Sequence, residues 1–284
     1  MSWRKLGIIA GGGELPVVLA EHCAGEQRPY FVARVIPYAD AALERHPGSS
    51  HSLGAMGARI EAMRSAGCDA VVLLGQVPRP DFAALELDDG ARAMIPALLA
   101  AAPRGDDALL RALLSEHERA GFHVLGAEEV MADLLAPAGT WGAHAPADRN
   151  MRDIRQAAKV AAAIGSFDIG QGVVSADGIV LAVEAQEGTD AMLHRVAELP
   201  DALRGRPGAR RGVLVKRPKP IQERRIDLPT IGVRTIEGAA GAGLAGVAVE
   251  AGAALAVRRT EIIAAADRAG LFVYGFRADE VDAA

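Results

Sequence analysis

Short apolar runs alternate along this chain with stretches whose apolar positions recur every three or four residues, which is the pattern of buried strands and amphipathic helices in turn. "KLGIIAGGGELPVVLAEHCAGE" (5–26) opens as a short strand, breaks at Gly11, Gly12 and Gly13, and continues as a predicted helix with Pro16 in its first turn. "RPYFVARV" (28–35) reads as a second strand. "LGAMGARIEAMRSAGCDAVVLLGQV" (53–77) repeats the theme, with a helix ending near Gly67 and a buried strand over Ala70–Leu74. "DDALLRALLSEHERAGFHVLGAEEVM" (106–131) places Leu109, Leu110, Leu113 and Leu114 on one stripe, stops at Gly121 and starts a strand at Phe122. Strands alternating with helices predict a parallel sheet covered on both faces, a Rossmann-like domain over 1–133.

The second half follows a different order. Residues 136–147, "APAGTWGAHAPA", are rich in Pro, Gly and Ala without period, so 134–150 reads as a linker. A helix is predicted over Met151–Ile164. Two strands then flank Ala176-Asp177-Gly178, a hairpin signal because Asp-Gly tolerates left-handed turn conformations. "GTDAMLHRVAEL" reads as a short helix, "RGVLVKRPKP" as a strand, and "TIEGAAGAGLAGVAVEAGAALAV" as a helix with strands at Gly246–Val249 and Ala254–Val257. The closing "RTEIIAAADRAGLFVYGF" reads as helix. Hairpin and crossovers together predict a mixed α/β domain over 151–284, so the fold class is α/β in two domains.

Composition narrows the function classes. Half of the 284 residues are apolar and about 4% aromatic, which suits helices packed on sheets. Lys and Arg number 31 against 36 Asp and Glu, a formal charge of -5, and this offers no general field for nucleic acid or an anionic membrane. Two cysteines, Cys23 and Cys68, imply neither a disulfide scaffold nor a thiolate metal site and favour a reducing, cytoplasmic setting. No apolar run reaches membrane-spanning length, so any membrane association is expected to be peripheral.

Four stretches can carry chemistry. Gly11–Gly13 follow a strand and open a helix, a geometry that holds phosphate or simply a close-packed turn; they lack both the dinucleotide and P-loop spacings. Gln76 ends a predicted parallel strand, where it can read a ligand or cap a loop. "VEAQEGTDAM" offers Glu184, Glu187, Thr189 and Asp190, oxygen donors suited to magnesium, yet Thr or Asp there equally caps a helix. "KRPKPIQERRIDLPTIG" (216–232) gathers five cationic side chains, two carboxylates and three prolines in seventeen residues. Its lysines and arginines can neutralise phosphoryl oxygens and Asp227 can hold a cation or orient water. The competing reading is a solvated loop of surface ion pairs. His117 is expected on a polar helix face.

Taken in order, "LGIIAGGGELP", "LLGQV", "ADRNMRDI", "DIGQGVV", "EAQEGTDAML", "KPIQERRIDLPTIGVRTIE" and "GLAGVAVEAG" span nearly the whole chain. Together they resemble the magnesium-dependent UDP-2,3-diacylglucosamine pyrophosphatases of Gram-negative bacteria, which are unrelated to the metallophosphoesterase type. The resemblance implies hydrolysis of the substrate to UMP and 2,3-diacylglucosamine 1-phosphate, lipid X, in lipid A biosynthesis. It implies Asp227 as the catalytic carboxylate, with Lys216, Lys219 and Arg225 clamping the diphosphate. It further implies substrate contacts from Gly11, Gly12, Gly13, Gln76, Gln171 and Thr189, and a Mg2+ site drawn from Asp227, Glu187 and Asp190. Glu223, longer than the Asp of relatives, stays outside the catalytic set. A homodimer and peripheral association with the cytoplasmic face of the inner membrane accompany this reading as expectations. An apolar face of Leu193, Val196 and Leu199 can serve acyl chains or the core. The rival functions are a nucleotide-sugar transferase and a non-enzymatic UDP-sugar or lipid-binding module.

Overall fold

A computed structural model describes residues 3–282. The chain divides into two compact units, Met1–Ala132 with Glu223–Asp227, and Asp133–Gln222 with Leu228–Ala284. Five residues of the late basic stretch therefore belong with the first unit.

In the first unit, β1 (Leu6–Ala10), β2 (Tyr30–Ile36), β3 (Gly48–Ser52), β4 (Ala70–Leu74) and β5 (His123–Leu125) form one parallel sheet in the order β3-β2-β1-β4-β5. Helices α1 (Glu14–Gly25), α2 (Met56–Ser65), α3 (Asp89–Ala101), α4 (Asp106–Arg119) and the single turn α5 (Ala127–Val130) complete it. β1 and β4 are buried throughout, as their unbroken apolar runs require of a parallel sheet covered on both faces. Met63 of α2 packs over Gly7, where an added Cβ would lie 2.8 Å from its sulfur.

Two of the longer elements here carry no clear signal in the sequence. β3 has the sequence GSSHS, which carries no apolar signal, and it forms because backbone pairing with β2 and an Arg34 Nε bond to Ser50 Oγ at 3.0 Å fix it at the sheet edge. Helix α3 contains Gly90 and Pro96, which mask its period. Asp88 starts it by accepting from Ala91 N at 2.7 Å, and the same carboxylate accepts from Gly57 N and Ala58 N at the start of α2. Cys23 and Cys68 are buried thiols, each pushed up to about 11 by burial.

His117 lies in the core rather than on a polar face, only 1% exposed, with Nδ1 2.8 Å from Leu113 O. Burial lowers its pKa from 6.5 to about 4, and nearby Arg59 adds to the effect. Because the unfolded chain binds this proton and the folded one refuses it, stability is expected to fall as pH drops from about 6.5 to about 4, and to level off below. A shift of this size corresponds to about 3 kcal/mol. Urea midpoints measured across that range should show the decline, and His117→Gln should flatten it; an unchanged slope in the variant would assign the decline to other groups.

The second unit is built on a six-stranded mixed sheet. Its strands are β6 (Gly139–Trp141), β7 (Gly172–Ala176), β8 (Ile179–Val183), β11 (Val213–Lys216), β13 (Gly246–Glu250) and β15 (Phe272–Phe276), in the order β6-β15-β13-β11-β7-β8. Between β8 and β11 lie α7 (Gly188–Ala197), the turn α8 (Asp201–Arg204) and the small hairpin β9 (Gly205–Arg206) and β10 (Ala209–Arg210). The parallel pair β12 (Thr230–Ile231) and β14 (Leu255–Ala256) is separate. α6 (Asp148–Ser166), α9 (Val233–Gly241), α10 (Arg259–Ala269) and α11 (Ala278–Asp282) complete the unit.

Alternation along the strands feeds two apolar layers. Leu214, Val247, Val249 and Val273 join one core with residues of α7, α9 and α10, while Val213, Val215, Ala248 and Phe272 join another with residues of α6. Each such buried Val, Leu or Phe side chain contributes roughly 1.5–3 kcal/mol. The predicted hairpin forms as read: Asp177 and Gly178 take φ of 49° and 82°, and buried Asp153 accepts from both their amides. The segment read as linker contains strand β6, and α6 begins at Asp148, three residues before the predicted start. The last predicted helix instead ends at Gly270, which takes the left-handed conformation, and the aromatic and β-branched run that follows is strand β15. Among the described residues no helix is long and apolar enough to cross a membrane.

Candidate active site

Strand β11 runs centrally in the second unit's sheet and delivers Lys216 at its last position, opposite Gly172 of β7 and Val249 of β13. The lysine is buried. Its Nζ donates to Thr189 Oγ1 at 2.7 Å, and Thr189 donates to Glu184 Oε1 at 2.5 Å. Glu184 is 7% exposed, and its Oε1 lies 4.0 Å from the ammonium. Its Oε2 has no hydrogen-bond partner among the described residues. Gly172 and Gly170 make room for this acid: a Cβ on Gly172 would stand 2.6 Å from Oε2, and one on Gly170 would stand 2.0 Å from the Glu184 carbonyl oxygen. A buried carboxylate is expensive without its cation, so Glu184, Thr189 and Lys216 act as one group.

Beyond β11 the prolines and charges fix the loop. Lys219 Nζ meets Asp168 Oδ1 at 2.7 Å with both side chains mostly buried. Lys219 N donates to Gln222 Oε1 at 2.8 Å, and Gln222 Nε2 donates to Gln171 Oε1 at 3.2 Å. Arg217 pairs with Glu250 at 3.0 Å, while its backbone N donates to the Gln171 carbonyl at 3.1 Å. Gln171 thus steadies the loop on both its side chain and its backbone. A solvated loop of surface pairs does not describe this arrangement.

In the first unit, Glu223–Asp227 form a turn. Glu223 N donates to Asp107 Oδ1 at 2.7 Å, and the Glu223 carboxylate receives Arg225 Nε at 3.0 Å and Arg111 at 3.3 Å. Arg225 also pairs with Glu118 at 2.8 Å. The Arg225 hydrogen bond holds the Glu223 carboxyl below its usual range, and the same partners push the guanidinium pKa up. Asp227 N donates to the Glu223 carbonyl at 3.3 Å, and Ile226 packs on the first unit's core. Arg225 and Glu223 therefore hold the turn that presents Asp227.

The glycine turn sits where the sheet order reverses, at the carboxyl ends of β1 and β4. Gly12 N donates to Gln76 O at 2.8 Å, Gln76 N donates to Gly12 O at 2.9 Å, and Gly11 N donates to Leu74 O at 2.8 Å. An added Cβ on Gly75 would come within 2.5 Å of Gly12 O. Close backbone approach explains Gly11 and Gly12, whose amides are spent on this pairing. Gly13 differs: its φ is 90° and nothing lies within 4 Å of where a side chain would begin. The Gln76 side chain is exposed.

Of the three carboxylates that the resemblance implies for magnesium, Glu187 pairs with Arg195 and Asp190 with Arg234, each at 2.5 Å, and Asp227 lies in the first unit. Among the described residues no group of three His, Cys, Asp or Glu side chains is placed to hold a metal ion. The Leu193 and Val196 side chains lie in the second unit's core, which removes them as an acyl groove.

Comparison with known proteins accounts for both halves. Residues 5–134 match the LpxI N-terminal domain model and residues 137–274 match the LpxI C-terminal domain model. The chain belongs to the LpxI family. Within that family it is similar to the UDP-2,3-diacylglucosamine pyrophosphatase LpxI of Caulobacter vibrioides, at 55% identity over 272 residues, 96% of this chain and 97% of the relative. The LpxI C-terminal match contains Lys216, Lys219, Thr189 and Gln171, together with Glu184, which the sequence offers only as one acid of a cluster. What marks Glu184 in the sequence is its place directly after the apolar run of β8.

Proposed function

We propose that this chain hydrolyses the pyrophosphate of UDP-2,3-diacylglucosamine to UMP and 2,3-diacylglucosamine 1-phosphate. The observation that carries the reading is 55% identity across 96% of the chain to a pyrophosphatase named for that substrate. The buried ammonium of Lys216, fixed by Thr189 and Glu184, supports it, because a held cation needs little reorganisation to stabilise charge developing on phosphoryl oxygens. Lys219 supplies the second cation, and Asp227 orients the attacking water and accepts its proton. Gly13 and Gln76 contribute exposed positions for the nucleotide side of the substrate.

Magnesium is proposed to arrive with the diphosphate. Such ions commonly take one or two carboxylates together with substrate oxygens, which suits Asp227 as the protein's contribution better than a cage including Glu187 and Asp190. Its chemistry there is to neutralise phosphoryl charge. Purified protein incubated with UDP-2,3-diacylglucosamine and Mg2+ should release UMP and the sugar 1-phosphate in equal amounts by phosphorus NMR, and EDTA should stop release. Transfer to an added acceptor, or binding without turnover, would reject hydrolysis; turnover that persists in EDTA would reject the metal.

A further inference from the structure

The second unit has another basic concavity, at the edge of its sheet opposite Lys216. The aligned starts of β11, β13 and β15 at Val213, Gly246 and Phe272 mark that edge, whereas Lys216 ends β11, so roughly 15 Å of strand and turn separates Arg211 from Lys216. The concavity has a volume of about 580 Å³, and its lining includes His144, Arg149, Arg210, Arg211 and Phe272. Among the described residues no Asp or Glu lines it.

The state of each cation matters. Arg211 pairs with exposed Asp177 at 3.2 Å, so part of its charge is met. Among the described residues Arg210 is held by carbonyls alone, donating to Ala240 O at 2.9 Å and Leu244 O at 3.3 Å, and burial lowers its pKa. Carbonyls orient a guanidinium without cancelling its charge. Arg149, in the first turn of the nineteen-residue α6, has no hydrogen bond or ion pair among the described residues. The α6 amino end adds positive potential at the same place. Of the nearby acids, Asp148 shares that first turn, and Asp267 is turned to Ala143 N at 2.8 Å.

We infer that this concavity is a second anion site, taking a phosphate group between Arg149 and Arg210 with His144 at its side. Arginine fits phosphate through its planar fork of donors, and two forks whose charge is unmet give such a group paired charge-assisted bonds. The phosphate can belong to a free anion or to a lipid headgroup, since both present the same oxygens. The inference does not depend on the proposed hydrolysis.

The test uses the full chain and reads the His144 ring resonances by NMR during titration with inorganic phosphate. A saturable shift is expected, weakened about tenfold or more in Arg149→Gln, with the circular dichroism spectrum unchanged and any turnover of UDP-2,3-diacylglucosamine unaffected. Lys219→Ala should leave the His144 response intact, which separates this site from the candidate active site. In parallel, phosphatidylcholine vesicles with and without phosphatidylglycerol are sedimented with the protein. Arg149-dependent retention on the anionic vesicles alone assigns the headgroup source, and a phosphate response without retention assigns the free anion. Absence of any His144 response together with absence of Arg149-dependent retention, or a response equal in Arg149→Gln, overturns the site.

Discussion

Asp227→Ala is expected to lower turnover of UDP-2,3-diacylglucosamine by about 10²–10⁴-fold, the range typical of a lost general base, while substrate still binds. Asp227 sits at the end of a turn whose shape depends on Glu223, Arg225 and Asp107. Circular dichroism and the urea midpoint check that the variant keeps its fold, and Asp227→Asn, which keeps size while removing charge, should fall in rate to a similar degree. Single-turnover kinetics with equilibrium binding of substrate would separate the two quantities. Turnover near the parent level in both variants would end the assignment. A loss confined to binding would convert Asp227 from a catalytic group to a substrate contact.

Lys216→Ala should damage stability and rate together. Removing the ammonium leaves Glu184 buried beside Thr189 with one oxygen already lacking a partner. Breaking a buried pair by deleting one member commonly costs about 3–5 kcal/mol, so the urea midpoint should drop sharply. The double variant Lys216→Met with Glu184→Gln should recover much of that stability, because no uncompensated charge remains, yet it should stay inactive. Recovery of turnover in the double variant would show that Lys216 serves the fold alone. Equal midpoints for Lys216→Ala and the parent would show that Glu184 is not dependent on this cation.

Much of the architecture is legible in the sequence for reasons that remain local. The β1 run, the glycine break and α1 follow from apolar period and Pro16, and the Asp177-Gly178 turn follows from backbone conformations that few other residues tolerate. What was not legible depends on partners distant in sequence. β3 is a strand only because β2 lies beside it, and His117 is buried because neighbouring elements cover a helix face that looks polar by composition. For the site, the basic stretch itself was visible, but its division between the two units was not. Lys216 and Lys219 find partners in residues 168–189, while Arg225 finds Glu118 in the first half of the chain. Glu187 and Asp190 stand in the sequence as acids in a cluster, yet each is answered by an arginine that spacing alone does not reveal. Glu184, less conspicuous in the same run, is the buried one.

The return of Glu223–Asp227 to the first unit has a consequence for how this chain can be divided. A fragment cut at the boundary between the two family domains would carry Asp107, Arg111 and Glu118 without the turn they hold. It would also lack Asp227, although it would contain the entire five-stranded sheet. Reconstitution would require the other fragment to lend that turn across a broken chain. The two domains are thus separable in sequence but not exchangeable as cassettes, and a chimera joining halves from different relatives must match Glu223 and Arg225 to the helix residues that receive them.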